Sequence, residues 1–191
     1  MANDDLFGKR DHEEEYFRKQ DRELIEKMRK AAAAAAASEA TQPLGAGSGI
    51  QDPDLLRDIA ELGFNADTIS LLPLVPILQV AWADADVSPA ERKLILEIAR
   101  HRGIAEGSPA DRQLLEWLAN RPSPAVFSRA GRLVAAMLAA GSSTAHDLSA
   151  DDLVKYCESI AAASGGILGL AKVSATERAA IEQVQAALKS R

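Results

Sequence analysis

Two hydrophobic patterns divide the chain. Between Asp11 and Ala37 the apolar positions are sparse: Phe17, Leu24, Met28 and Ala31 follow one another at spacings of seven, four and three, which puts them on one narrow helical stripe. Tyr16 and Ile25 flank it. Most of the remaining positions are charged. Glu14–Arg18, Glu15–Lys19, Glu23–Lys27 and Glu26–Lys30 each set acid four residues before base, the favourable order, worth roughly 0.2–0.5 kcal/mol per pair. Ala31–Ala37 then supplies the highest intrinsic helix propensity. A helix from Asp11 to Ala37 is expected to form without a core behind it, and its stripe is shaped to dock on something.

Beyond residue 51 the pattern changes to blocks of apolar residues at helical spacing, each opened by a start signal: Asp52-Pro53, Asn65, Ser88-Pro89, Ser108-Pro109, Ser123-Pro124, Ser149 and Ser174. Ser, Asp and Asn accept from the free amides of a first turn, and proline is pre-set for the first helical position. Ser88 with Glu91, and Ser174 with Glu177, fit the reciprocal S-x-x-E capping box. Gly63, Gly103, Gly141 and Gly165 stand where the preceding helices should stop. The pattern predicts an all-α bundle of about seven helices of roughly 9–18 residues, without strands. Residues 39–51, with Pro43, Gly45, Gly47, Ser48 and Gly49, read as a flexible linker. The expected organisation is a charged amphipathic helix over 1–38, the linker over 39–51, and a helical domain over 52–191.

Composition agrees with helix: the 191 residues include 37 alanines and only eight aromatics. An apolar share of 47% is ample for a packed core. The 28 acidic against 22 basic residues give a net charge of −6, which argues against nucleic acid as a partner, since phosphate neutralisation needs a basic surface. Cys157 is the sole cysteine, so no internal disulfide forms, as suits a reducing compartment. The first 30 residues hold no apolar leader, and the longest apolar run, Ile69–Ala83, is too short to span a bilayer and holds two prolines. The expected setting is the cytoplasm, with no direct membrane insertion.

The chain offers little that looks catalytic. His12, His101 and His146 lack zinc-ligand spacing, and no nucleophile-elbow, Walker or dinucleotide glycine pattern occurs. Gly165-Gly166 and Gly169 are better explained by helix termination than by phosphate binding. Trp82, Trp117, Phe64 and Phe127 read as core. The acidic turn Asp84-Ala85-Asp86-Val87-Ser88 with Glu91 is the most promising small site, because alternating oxygen donors followed by a glutamate suit a hard cation, Ca2+ or Mg2+. The competing reading is structural: Asp84 ends one helix while Ser88 and Glu91 cap the next. His146-Asp147 and Asp151-Asp152 bracket a further helix start. The motif V-S-x-x-E-R occurs twice, at Val87–Arg92 and Val173–Arg178, either as independent capping boxes or as the mark of two related halves packed face to face.

Two resemblances follow from these residues. The stretch LFGKRDHEEEYFRKQDRELIEKMRK is similar to the inhibitory segment of the F-type ATPase inhibitor protein, through Phe7, Gly8, Lys9, Arg10, Glu13, Glu14, Glu15, Tyr16, Phe17, Arg18, Glu23 and Leu24. The resemblance implies a helix that wedges into a catalytic interface of the ATP synthase and blocks rotation during hydrolysis. Phe7, Arg10, Glu14, Tyr16, Phe17, Arg18 and Leu24 would be its partner-binding residues. The family's histidine-rich coiled coil is replaced here by polyalanine and the linker. The segment LLPLVPILQVAWADADVSPAERKLILEIARHRGI, Leu71 to Ile104, resembles the TerB-like family of helical domains, named after tellurite-resistance proteins and present in some co-chaperones. The carrying features are Ala81-Trp82-Ala83-Asp84, the acidic turn, and both copies of V-S-x-x-E-R. That resemblance implies an all-α fold, no known enzymatic reaction, and metal-binding acids, here Asp84 and Asp86; Ala85 stands where the family has glycine.

The expected function is a non-enzymatic regulatory protein: a TerB-like module tethered to a partner-docking helix that inhibits F-type ATP hydrolysis, at the inner membrane only through that partner. The alternative is a divalent-cation-responsive or stress-response domain using Asp84, Asp86 and Glu91, with an N-terminal helix that self-associates into a homo-oligomer.

Overall fold

The computed structural model describes residues 20, 23–32, 42–46, 48–141, 148–164 and 173–189. The chain divides into two compact units, Met1–Ala40 and Thr41–Arg191. In the first, residues 23–32 form a helix (α1) whose positions are all exposed, and the Glu26–Lys30 pair closes at 2.7 Å. The rest of the helix expected from Asp11 to Ala37 falls outside the described residues, Gln20 excepted, which is helical.

The second unit is built from α2 (Pro53–Glu61), a 3-10 helix (Ile69–Leu74), α3 (Val75–Ala81), α4 (Pro89–His101), α5 (Pro109–Ala119), α6 (Pro124–Ala139), α7 (Ala150–Ser164) and α8 (Ala175–Lys189). No strand occurs among the described residues; the bundle is all-α. The starts follow the local chemistry. Asp52, Ser88 and Ser108 accept from amides in the first turns of α2, α4 and α5, and Ser149 accepts from Asp152 N at 3.1 Å while Asp152 accepts from Ser149 N. The stops do too. Gly63 and Gly103 have φ of +87° and +82°, and the amides of Phe64 and Ile104 reach back to Ile59 O and Ala99 O. Both following residues are buried, which completes the Schellman-type ending that only glycine enters without strain. Gly141 also has positive φ; Gly165 lies outside the described residues.

The apolar run Ile69–Ala83 forms a 3-10 segment followed by α3, because Pro73 and Pro76 remove two amides from the ladder and crowd the preceding turn. Two local expectations differ from what forms. Asn65 does not cap an α-helix: its side chain accepts from Asp67 N and Thr68 N in a turn that leads into the 3-10 segment. Within the stretch read as a flexible linker, residues 42–46 are helical, and Leu44, Ser48 and Ile50 are buried in the second unit.

α3 is apolar apart from Gln79, with Val75, Ile77, Leu78, Val80 and Ala81 all buried, and it packs against α6, α7 and α8. A helix so nearly apolar all round belongs inside a bundle. Trp82, at its end, donates from Nε1 to Trp117 O at 2.9 Å, and Trp117 meets Phe64 edge-on at 5.6 Å. Trp117 and Phe127 pack on the core only partly buried. At the α6–α8 crossing a Cβ on Gly131 would lie 2.4 Å from Ala187 Cβ, so the two helices approach closely there. Arg129 and Arg132 of α6 both bind Asp58 of α2.

Candidate functional site

The acidic turn is positioned by three helix ends. α3 stops at Ala81, residues 82–88 reverse the chain, and α4 begins behind Ser88. In the Ser88 capping box, Glu91 Oε2 accepts from Ser88 N at 2.7 Å and Ser88 Oγ accepts from Glu91 N. The same box recurs at α8: Glu177 Oε2 accepts from Ser174 N at 2.6 Å, and Ser174 Oγ accepts from Glu177 N. Both glutamates are almost wholly inaccessible, at 2% and 1% exposure.

The two motifs meet through Asp84. Its Oδ1 accepts from Ser174 Oγ at 3.2 Å and from Thr176 Oγ1, a contact across 90 and 92 residues of sequence. Asp84 therefore does more than end a helix; it clasps the α3 terminus to the start of α8. The carboxyl of Glu91 is pushed above its usual range, chiefly by burial; the bonds from Ser88 pull it back, and the charges of Glu177 and Asp84 push it further up. Like charges sharing a poorly solvated spot disfavour ionisation. Asp86 is exposed on the turn.

The expected metal ligands are thus in one neighbourhood but not assembled as a cage. Asp84 engages two hydroxyls, Glu91 an amide, and Asp86 faces solvent. Among the described residues no group of three or more His, Cys, Asp or Glu stands ready to hold an ion. The residues that sequence reasoning missed here are Ser174 and Thr176 as partners of Asp84, and the second V-S-x-x-E-R was the signal that could have pointed to them.

Other candidates separate cleanly. Cys157 is buried in α7, and burial pushes its thiol up to about 12, so it is a poor nucleophile at neutral pH. His101 sits exposed in the last turn of α4 beside Arg100, where cations suit the helix dipole. Asp151 and Asp152 lie in the first turn of α7, and hydrogen bonds from Ser149 hold the Asp152 carboxyl low. His146-Asp147 and the glycines 165, 166 and 169 lie outside the described residues, as do Phe7, Arg10, Glu14, Tyr16, Phe17 and Arg18. Leu24 is described: it is 56% exposed on α1, beside Ile25 at 50% and Met28 at 64%. No helix among the described residues is long and apolar enough to cross a membrane.

No family model, curated protein or solved structure matches the chain.

Proposed function

We propose that the protein is a regulatory binding protein in which a TerB-like helical module carries an N-terminal docking helix, and that this helix inhibits ATP hydrolysis by an F-type ATP synthase. The observation that carries the reading is the exposed apolar stripe of α1: Leu24 and Met28, four residues apart, are more than half exposed on a helix whose other positions are charged apart from Ile25, Ala31 and Ala32. Large exposed aliphatic side chains on a charged helix are a docking face in search of a groove. The resemblance of residues 6–30 to the ATPase inhibitor segment supplies the identity of the groove. In this reading Tyr16, Phe17 and Leu24 are apolar anchors, Arg18 fixes register beside them, and Phe7, Arg10 and Glu14 extend the contact. Aromatic and arginine side chains commonly dominate interface energy. Replacing Tyr16 and Phe17 together by alanine abolishes binding to the catalytic sector and leaves the melting temperature of the second unit unchanged; retained binding removes the anchor assignment.

A second reading has one observation in its favour. Glu91, Glu177 and Asp84 concentrate negative potential at the meeting of α3, α4 and α8, and a divalent cation would relieve it. Asp84 would have to leave the hydroxyls of Ser174 and Thr176 to become a ligand, with Asp86 turning inward. In this case millimolar Ca2+ or Mg2+ raises the melting temperature, and Asp84→Asn with Asp86→Asn removes the rise. An unchanged melting temperature rejects it.

A further inference from the structure

Beside the Asp84 clasp, on the second unit alone, an open groove of about 750 Å3 runs between the end of α3, the first turns of α6 and one face of α8. Its floor is apolar: Pro124 and Phe127 from α6, Ala83 from the end of α3, and Ala179 and Ala180 from α8. Gln79 and Gln183 close one edge by bonding each other at 3.3 Å.

The charge pattern is informative. Among the described residues lining the groove, Arg121 is the one that carries a charge. It is a cation in a chain of net charge −6. Arg121 lies 6.0 Å from the centre of the Phe127 ring and is exposed, and no carboxylate among the described residues pairs with it. The arginines Arg100, Arg129 and Arg132, by contrast, all meet acids. Next to Arg121, α6 begins without a side-chain cap, since Ser123 makes none. The partial positive charge of its first turn therefore lies at the same end of the groove.

An apolar floor with a solitary cation at one end is complementary to an occupant with an apolar body and one carboxylate. A groove open along its length leaves one flank of that occupant in solvent, which suits a segment belonging to a larger partner better than a sequestered metabolite. We propose that this groove docks a short segment of a partner protein that carries one Asp or Glu beside its apolar side chains, with Arg121 holding the carboxylate. The Phe127 ring, 6.0 Å away, attracts the Arg121 guanidinium toward the groove, and the charge-assisted bond fixes the register of the segment. This surface is independent of the α1 stripe and would operate whether or not the N-terminal helix meets an ATPase.

The test pans a displayed library of random 12-residue peptides on the full-length protein, with counter-selection on Ala179→Arg, which fills the groove from an exposed position on α8. Recovered peptides are expected to share an acidic residue flanked by apolar ones. Their synthetic forms should bind at least tenfold more weakly to Arg121→Glu, and replacing their acidic residue by lysine should restore binding to Arg121→Glu. That charge swap excludes a folding defect as the cause. Failure to recover any peptide that prefers the native protein to the filled variant overturns the proposal. So does recovery of peptides indifferent to Arg121. If 4-phenylbutyrate binds at Arg121 and Phe127 while no peptide does, the site takes a small carboxylate and the partner assignment is wrong.

Discussion

Glu91 and Asp111 are both buried acids, and they respond to pH in opposite senses. Glu91 has its folded pKa raised above the ordinary 4.5, first by desolvation. Its contribution to stability is therefore complete below that value and is lost as pH rises through the folded pKa. Glu91→Gln keeps an oxygen for Ser88 N and cannot ionise, so its stability relative to the native protein should climb between pH 4 and pH 7 in thermal melts. Parallel profiles would contradict the assignment. Asp111 behaves the other way. The amide of Gly107 bonds to it at 2.8 Å and Arg100 at 2.6 Å, and these hold its carboxyl below the ordinary 3.8 despite burial. Its stabilisation is present above 3.8 and is lost as pH falls through the folded value. Asp111→Asn should cost about 1–3 kcal/mol at pH 7, and the deficit should shrink on acidification below 3.8. A deficit unchanged at low pH would show that the loss is one of packing rather than of charge.

At the scale of elements, the starts of α2, α4 and α5 were legible because each is decided within four residues: Ser or Asp, then Pro, then an acid in the first turn; α7 and α8 begin behind a serine and an early acid without the proline. Other features were not, and the reasons are physical. The break between the 3-10 segment and α3 is written in Pro73 and Pro76, but the uniform hydrophobicity of the run conceals it. Leu44 and Ile50 are anchors hidden among glycine and serine, so composition alone read their surroundings as linker. The clasp in which the Ser174 and Thr176 hydroxyls donate to Asp84 joins residues far apart in sequence, and no local periodicity reports it.

That bond also makes the two capping boxes unequal. Ser88→Ala should cost about 1 kcal/mol, as caps do, whereas Ser174→Ala loses the same cap and a contact with Asp84. A double-mutant cycle of Ser174→Ala with Asp84→Ala should give an interaction energy above ~0.5 kcal/mol, while Ser108→Ala with Asp84→Ala should add within ~0.5 kcal/mol. Additivity in both cycles would dissolve the clasp. The α6–α8 crossing gives a sharper sign test. In an open helix Gly→Ala gains roughly 0.5–1 kcal/mol, but at Gly131 the new methyl meets Ala187 Cβ at 2.4 Å, and overpacking costs about 1–3 kcal/mol. Gly131→Ala should therefore destabilise in chemical denaturation, and adding Ala187→Gly should recover most of the loss. A stabilised single variant would mean that the helices separate freely.

For the whole molecule, the division into two compact units at Ala40–Thr41 makes the central claim separable. The second unit needs Leu44, Ser48 and Ile50, which are buried in it, so the right truncation begins at Thr41 and not inside the glycine-rich stretch. The fold class was open to sequence reasoning because alanine content, caps and periodicity all pointed the same way. The site was only half open to it: the acids of the turn were visible, their hydroxyl partners were not. The measurement that bears most directly on the account is ATP hydrolysis by a purified F-type ATPase catalytic sector, titrated in parallel with the full chain and with residues 41–191. Saturable inhibition by the full chain and none by the truncation is the expected result. Full hydrolysis in the presence of the full chain, or equal inhibition by both, would contradict it.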